Sequence, residues 1–143
     1  MCIRDRVRAQ QSPMLNDVST DTANPPPLVA TLPLRRGATN PAAWAGGNAP
    51  VLQRDAYPDI GPAVLAVPPT EAFRRAEAIA AAMGWTVVAS RWFGFRDDIV
   101  VRVRPDGGGS RVDIRSKSRN GESDLGVNAE RIREFVARLK SGN

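Results

Sequence analysis

The chain has 143 residues, a formal net charge of +5 and 42% apolar residues, with no histidine and a single cysteine. This length suits one modest domain. Without histidine, histidine-based catalytic triads and HExxH zinc sites are excluded, and a lone cysteine excludes an internal disulfide and a thiolate metal cluster. No apolar run is long enough to predict a transmembrane helix. Basic residues are interleaved with acidic ones and form no basic tail, which disfavours nucleic-acid binding.

The N-terminal third of the chain differs in composition from the rest. Residues 1–9 show neither periodicity nor a signal-peptide pattern, and we expect them to be non-native sequence in place of the true start. Residues 10–56 are rich in proline, alanine, glycine and asparagine, as in N-P-P-P at 24–27. Proline removes backbone donors and glycine raises the entropic cost of ordering. Residues 1–56 are therefore predicted to be disordered or extended, as a linker or as an arm that Trp44 anchors.

Regular elements are predicted in residues 57–143, which we expect to form the domain. A short apolar segment at 60–67 indicates a first strand, limited to a sheet edge by its proline. Apolar residues at helical spacing then predict a helix over 69–83, and Gly84 is a natural C-terminal stop. A second strand follows at 85–89, where β-branched residues are frequent.

The strongest local signal is a hairpin over residues 99–117. β-Branched apolar residues alternate with polar ones on both strands, and a glycine-rich turn joins them. Pairing Val103 with Val112 places apolar residues opposite one another on one face and sets Arg102 opposite Asp113 on the other. Because one register satisfies both faces, the sequence predicts this pairing.

A final helix completes the predicted domain. Apolar residues recur at helical spacing from Ile132 to Leu139, and Asn128 is a plausible N-cap. The element order is then β-α-β-β-β-α. This order predicts an α+β domain of two layers, in which both helices pack on one face of a mostly antiparallel sheet.

The polar face of the hairpin carries a row of cations, which we call the basic row. The basic row predicts docking of an acidic protein partner or of anionic lipid headgroups. A solvated face, whose charges prevent a strand edge from pairing with another chain, explains the same residues. Asp113 within the row, and the lack of interleaved aromatic residues, disfavour nucleic acid. The members of the basic row are Arg102, Arg104, Arg111, Arg115 and Lys117.

An aromatic segment precedes the hairpin and supplies a second candidate site. Its residues Trp92, Phe93 and Phe95 are predicted either to lie in the core with one of them at a sheet edge, or to form the lip of an apolar pocket with Arg91 as a polar anchor. The adjacent carboxylates Asp97 and Asp98 point to opposite faces of a strand, so they do not flank one substrate. We expect them to pair with Arg91 and Arg96 or to form the turn that enters the strand.

The polar loop at 118–128 is a third candidate, because it leads into the N-terminus of the last helix. Arg119, Asp124 and Asn128 predict a small-anion site there, while capping by Asp124 and Asn128 explains the same residues. No catalytic, cofactor or metal residue is predicted, since no histidine activates the serines. An enzyme would instead need a pocket that gathers several charged side chains. Those residues are Arg91, Asp98, Arg119 and Asp124.

Four stretches of the sequence resemble a known family. They are Y-P-D-I at 57–60, R-W-F-G-F-R-D-D at 91–98, G-G-G-S-R-V-D-I-R-S at 107–116 and S-D-L-G-V-N-A-E-R-I at 123–132. They look like the bacterial and plastid family called domain of unknown function 1499, over most of residues 16–139. The resemblance implies no activity, catalytic residue or cofactor. It implies an envelope or membrane-associated setting, since some longer members carry hydrophobic segments upstream.

The chain departs from the family pattern just before Arg91. The family usually has a further turn and strand at this point, so we expect a short internal deletion. The strand at 86–89 is then expected to lack its usual partner.

From these observations we expect a non-enzymatic binding or interaction domain of the bacterial envelope, without a cofactor. An acidic partner or an anionic lipid would dock on the basic row. A small-molecule enzyme and a purely structural module are the two alternatives.

Overall fold

A computed structural model describes residues 13–29, 31–88, 91–93 and 97–142, and the side chains of 86–88 and 91–93 lie outside this description. The strands are β1 Asp17–Ser19, β2 Ala63–Leu65, β3 Thr86–Val88, β4 Arg91–Phe93, β5 Asp97–Asp106 and β6 Gly109–Ser118. The helices are α1 Ala49–Ala56, α2 Pro69–Ala82 and α3 Val127–Ser141, and a short 3-10 helix covers Leu32–Leu34.

The described strands form one antiparallel sheet in the order β1-β6-β5-β4-β3. Strand β2 pairs with the same edge of β6 as β1 does, so the two short strands lie end to end along one long strand. The sheet and the helices confirm the predicted α+β class with a mostly antiparallel sheet. The strand predicted at 86–89 is β3, and it pairs with β4 from Thr86–Phe93 to Val88–Arg91.

The β5–β6 hairpin adopts the predicted register. Val103 lies opposite Val112 and Arg102 lies opposite Asp113. The turn end of the hairpin lies very close to β2. If Gly109 carried a β-carbon, that atom would lie 2.1 Å from the carbonyl oxygen of Leu65. Only glycine allows the backbones to approach this closely.

One face of the sheet packs against α2 and α3, and we call it the helix face. Ile99 and Ile114 alternate along the strands on this side and are fully buried against Ile132 and Phe135 of α3. The indole of Trp85 stacks on the Phe135 ring with 5.3 Å between ring centroids. Burying such side chains stabilises the fold by roughly 1.5–3 kcal/mol each. In the described ranges no helix is both long and apolar enough to cross a membrane.

The opposite face of the sheet is covered by residues 20–29 and 31–48, which we call the arm, and we name this side the arm face. Backbone carbonyls of the arm accept hydrogen bonds from Arg115 and Lys117 of β6. The guanidinium of Arg115 also lies over the ring of Trp44, 5.4 Å from its centroid, so Trp44 anchors the arm as predicted. The predicted lack of regular structure before residue 57 is wrong at β1 and α1. Both elements are held by tertiary contacts that composition does not reveal.

Candidate functional site

The arm buries two of the five members of the basic row. Arg115 and Lys117 are at most 2% exposed, so the prediction that they face solvent is wrong. Asp17 of β1 lies beside both: its carboxylate accepts two hydrogen bonds from Arg115, at 2.8 and 2.7 Å, and lies 3.0 Å from Lys117 Nζ. A β1 strand that supplies this carboxylate was not predicted, and without it the two cations would not be buried.

A second buried carboxylate continues this arrangement. Asp98 has 0% exposure and forms an ion pair with Arg35 of the arm. Its Oδ1 accepts hydrogen bonds from Arg119 Nε and Nη2, at 3.2 and 2.9 Å. Asp97 points the other way and pairs with Arg131 of α3, so the two carboxylates occupy opposite faces as predicted. Of their predicted partners, the side chain of Arg91 and the whole of Arg96 lie outside the described residues.

These groups form one contiguous set that we call the inner charge cluster. Four cations surround two carboxylates, an excess of two positive charges. Burial lowers the pKa of Lys117, and burial with repulsion from nearby arginines lowers the pKa of Arg35. Backbone carbonyls of the arm solvate the excess cations in place of water. The cluster consists of Asp17, Asp98, Arg35, Arg115, Lys117 and Arg119.

The other three members of the basic row are more exposed but already have anionic partners. Arg102, Arg104 and Arg111 converge on Asp21 and Asp113, and Arg104 is the most exposed at 39%. Burial alone would raise the pKa of Asp113, but its hydrogen bonds from Arg111 and Thr20 lower it below the usual value. These guanidinium groups therefore hold the arm to the sheet.

The inner charge cluster opens to solvent through Arg119, whose side chain is 20% exposed. Arg119 lies in a cleft of about 590 Å³ at the end of the sheet, where β5 begins and β6 ends. A cleft of this volume accommodates a small-molecule ligand. Its lining is predominantly polar and comprises Leu34, Arg36, Gly37, Ala38, Asp97, Ser118, Arg119, Asn120, Ser123 and Asp124.

One wall of the cleft is cationic and is built by the arm and the end of β6. Asn40 holds the arm there, since its backbone N–H donates to the Arg119 carbonyl at 2.9 Å and its side chain donates to Ser118 O at 3.0 Å. Arg36 is exposed and has no hydrogen bond or ion pair with the described part of the chain. Its guanidinium therefore keeps all its donors for a ligand.

The opposite wall is acidic and lies at the start of α3. The carboxylate of Asp124 accepts hydrogen bonds from the backbone N–H groups of Gly126, at 2.9 Å, and Asn128, at 2.6 Å, which confirms its predicted capping role. The helix N-terminus is thus occupied by a side-chain anion, which disfavours the predicted anion site at these donors. Burial raises the pKa of Asp124, and the nearby charge of Asp97 raises it further.

Asn128 is not the N-cap, because α3 begins at Val127 and Gly126 takes the capping position. Its side chain is fully buried and accepts a hydrogen bond from Ser116 Oγ at 2.6 Å while donating to Ser118 Oγ at 3.0 Å. It therefore ties α3 to β6 and is unavailable to a ligand.

The family model described as "Protein of unknown function (DUF1499)" matches residues 17–139. The chain belongs to this family. The match starts at β1 and so includes the arm together with the sheet and most of α3. No curated protein and no solved structure matches the chain.

In this DUF1499 chain, a second cleft of about 600 Å³ runs along α3. Its lining includes Arg131 and Arg133, and both guanidinium groups are paired with carboxylates, those of Asp97 and Asp59. The cleft at the end of the sheet differs because Arg36 has no such partner. Among the residues described, no group of three or more carboxylate or cysteine side chains is placed to hold a metal ion.

The structure brings together part of the pocket proposed for an enzyme. Arg119 and Asp124 line the cleft and Asp98 lies behind Arg119, whereas the side chains of Arg91 and Trp92 lie outside the described residues. Sequence reasoning missed Arg36, because it falls in the segment predicted to be disordered. The basic pair Arg35-Arg36 within an otherwise apolar and polar stretch is the one signal that pointed to it.

Proposed function

We propose that this DUF1499 domain is a non-enzymatic binding domain whose ligand presents an anionic group to the cleft at the end of the sheet. The observation that carries this proposal is the unpaired guanidinium of Arg36 on the same wall as Arg119. A guanidinium presents several N–H donors in a plane, which suits carboxylate and phosphate oxygens.

The inner charge cluster strengthens the attraction at this position. Its excess of two positive charges is screened weakly because five of its six side chains are buried. Arg119 is the member that meets solvent, so the positive potential emerges in the cleft. An anion bound beside Arg119 would offset part of the excess charge.

The site thus differs from the basic row expected from sequence. Arg115 and Lys117 are covered by the arm, and the more exposed arginines of the row already hold Asp21 and Asp113. An anionic lipid headgroup or an acidic side chain of a protein would instead reach Arg36 and Arg119. The envelope setting remains part of this proposal and is supported by the resemblance to longer family members with hydrophobic segments.

The direct test is titration calorimetry at low ionic strength with inorganic phosphate, glycerol 3-phosphate and citrate. We expect Arg36→Ala to weaken the tightest of these by about tenfold or more, since a hydrogen bond to a charged group contributes about 1.5–3 kcal/mol. Arg54→Ala is the matched control, because Arg54 is also exposed and unpaired among the described residues but does not line the cleft. The affinity of Arg54→Ala for these anions should match that of the wild type.

Sedimentation with anionic vesicles separates the lipid source from free anions. Vesicle binding that Arg36→Ala abolishes supports a membrane headgroup as the ligand. If neither the anions nor the vesicles bind, or if both arginine variants lose affinity equally, the cleft is not an anion site. A purely structural module would give the first of these results.

An enzyme is the second candidate, and the raised pKa of Asp124 in a cleft beside Arg119 favours it. A carboxyl group that is protonated more readily than usual is suited to general acid catalysis. Asp124→Asn keeps a side-chain oxygen for the N-terminus of α3 and removes the titrating proton. Hydrolysis or isomerisation of a bound anion by the wild type, lost in Asp124→Asn with binding retained, would favour the enzyme over the binding domain.

A further inference from the structure

The cleft has walls of opposite charge because its residues come from opposite faces of the sheet. Arg119 belongs to the arm face, where it pairs with Asp98, and Arg36 lies on the arm itself. Asp97 belongs to the helix face, where it pairs with Arg131, and Asp124 caps α3 on that side. The end of the sheet separates the two pairs, and the cleft spans it.

The acidic wall retains capacity for a hydrogen-bond donor. The ion pair of Asp97 uses its Oδ2, at 2.9 Å from Arg131 Nη2, and its Oδ1 accepts no hydrogen bond from the described residues. Asp124 lies close enough for the charge of Asp97 to raise its pKa further. A positive group between these carboxylates would relieve their repulsion.

A ligand with only negative charge would satisfy one wall and be repelled by the other. A ligand with only hydroxyl groups would leave Arg36 without a counter-ion. The chemistry that satisfies both walls is an anionic group joined by a short chain to an ammonium group.

We propose that the cleft binds a zwitterion, with its phosphate or carboxylate at Arg36 and Arg119 and its ammonium at Asp97 and Asp124. This assignment rests on the proposed function, because it requires the cationic wall to bind an anion. Free amino acids and the phosphoethanolamine headgroup of a lipid share this chemistry.

The test compares O-phosphoethanolamine with ethyl phosphate, which has a similar shape but lacks the ammonium group. Calorimetric titration of the full chain should show about tenfold tighter binding of O-phosphoethanolamine. Asp97→Asn should remove most of that preference while leaving the affinity for ethyl phosphate unchanged or higher. Arg36→Ala should weaken both ligands together.

Arg131→Gln is the control for a structural effect of breaking the Asp97–Arg131 pair. It breaks the same ion pair but keeps the carboxylate, so the preference for O-phosphoethanolamine should persist or increase. Loss of the preference in both variants would overturn the zwitterion assignment, as would equal wild-type affinity for the two ligands. In the latter case the proposed anion site would still stand, whereas absence of binding by either ligand would reject both.

Vesicles then identify the source of the zwitterion. Phosphatidylethanolamine vesicles are compared with phosphatidylcholine vesicles, whose methylated ammonium cannot donate hydrogen bonds. Binding to the first alone supports the zwitterion assignment with a membrane headgroup. Binding of free O-phosphoethanolamine without either vesicle supports it with a soluble ligand. Tighter binding to phosphatidylcholine would contradict it.

Discussion

The two faces of the central hairpin are covered by different kinds of contact. On the helix face, Ile99 and Ile114 pack against apolar side chains of α3. On the arm face of the same two strands, Asp98, Arg115 and Lys117 are buried among charges and carbonyl oxygens. A sheet in this fold therefore has one face held by apolar packing and one held by specific ion pairs.

The difference matters because the two kinds of burial respond differently to change. Apolar burial is non-directional and scales with area, so each lost side chain weakens it in proportion. A buried ion pair is close to balanced as a whole, but removing one partner leaves a charge without compensation. On the arm face, the loss of stability should therefore depend strongly on which member of an ion pair is substituted. On the helix face, the loss should depend on the apolar area removed.

The largest loss is expected on the helix face, with Phe135→Ala. Phe135 is fully buried and stacks with Trp85, so its removal should lower the free energy of unfolding by about 3–5 kcal/mol. Urea denaturation followed by far-UV circular dichroism measures this loss, which should not depend on salt. Arg138→Ala, on an exposed side of the same helix, should change stability by less than about 0.5 kcal/mol. A similar loss in both variants would mean that α3 is not packed as described.

On the arm face, Asp17→Asn should cost nearly as much, about 3 kcal/mol. The substitution keeps the size of the side chain but leaves Arg115 and Lys117 without their shared carboxylate. The same denaturation experiment applies, with Asp55→Asn as the control because Asp55 is exposed on α1. A loss under about 0.5 kcal/mol, the size expected of a surface change, would show that the arm does not bury this face.

Lys117→Met should have the smallest effect, within about 1 kcal/mol of the wild type. It removes one of the excess cations, and Asp17 keeps its two hydrogen bonds from Arg115. Because the pKa of Lys117 is lowered in the folded state, its charged form opposes folding below that pKa. The free energy of unfolding of Lys117→Met, relative to wild type, should therefore be highest near neutral pH. This difference should shrink as pH rises towards 10.5.

Such a gain is measured as the difference in unfolding free energy between Lys117→Met and wild type from pH 7 to pH 11. If Lys117→Met loses as much stability as Asp17→Asn, the inner charge cluster carries no excess of positive charge. The positive potential invoked for the cleft would then lack its source.

Much of the domain could be read from local patterns in the sequence. The alternation of Val101, Val103, Val112 and Ile114 specified the hairpin register, because a slip of one residue would move every apolar side chain to the polar face. Helical spacing predicted the C-terminal end of α2 to within one residue. The start of α3 was predicted less well, because α3 begins at Val127 and Asn128 had been expected to be its N-cap. Polar residues near a helix start do not reveal the cap position, which falls on Gly126, while the carboxylate of Asp124 accepts the hydrogen bonds there.

The candidate site could not be read in this way. Arg119 and Asp124 were recognised as binding candidates, but Arg36 was not, since it comes to the cleft from more than half the chain away. The basic row looked like an open surface because its covering residues lie far off in sequence; Arg115 and Asp17, for example, are 98 residues apart.

The sequence by itself determined the elements whose signals lie within a few residues of one another: the β5–β6 hairpin, α2, α3 and the class of fold. The tertiary structure alone decided that the arm covers the polar face, that two members of the basic row are buried, and that Arg36 and Arg119 line one cleft. The physical reason is the distance along the chain over which each signal acts. Periodicity records which side of an element is apolar, whereas pairing of buried charges depends on which distant segment supplies the counter-charge.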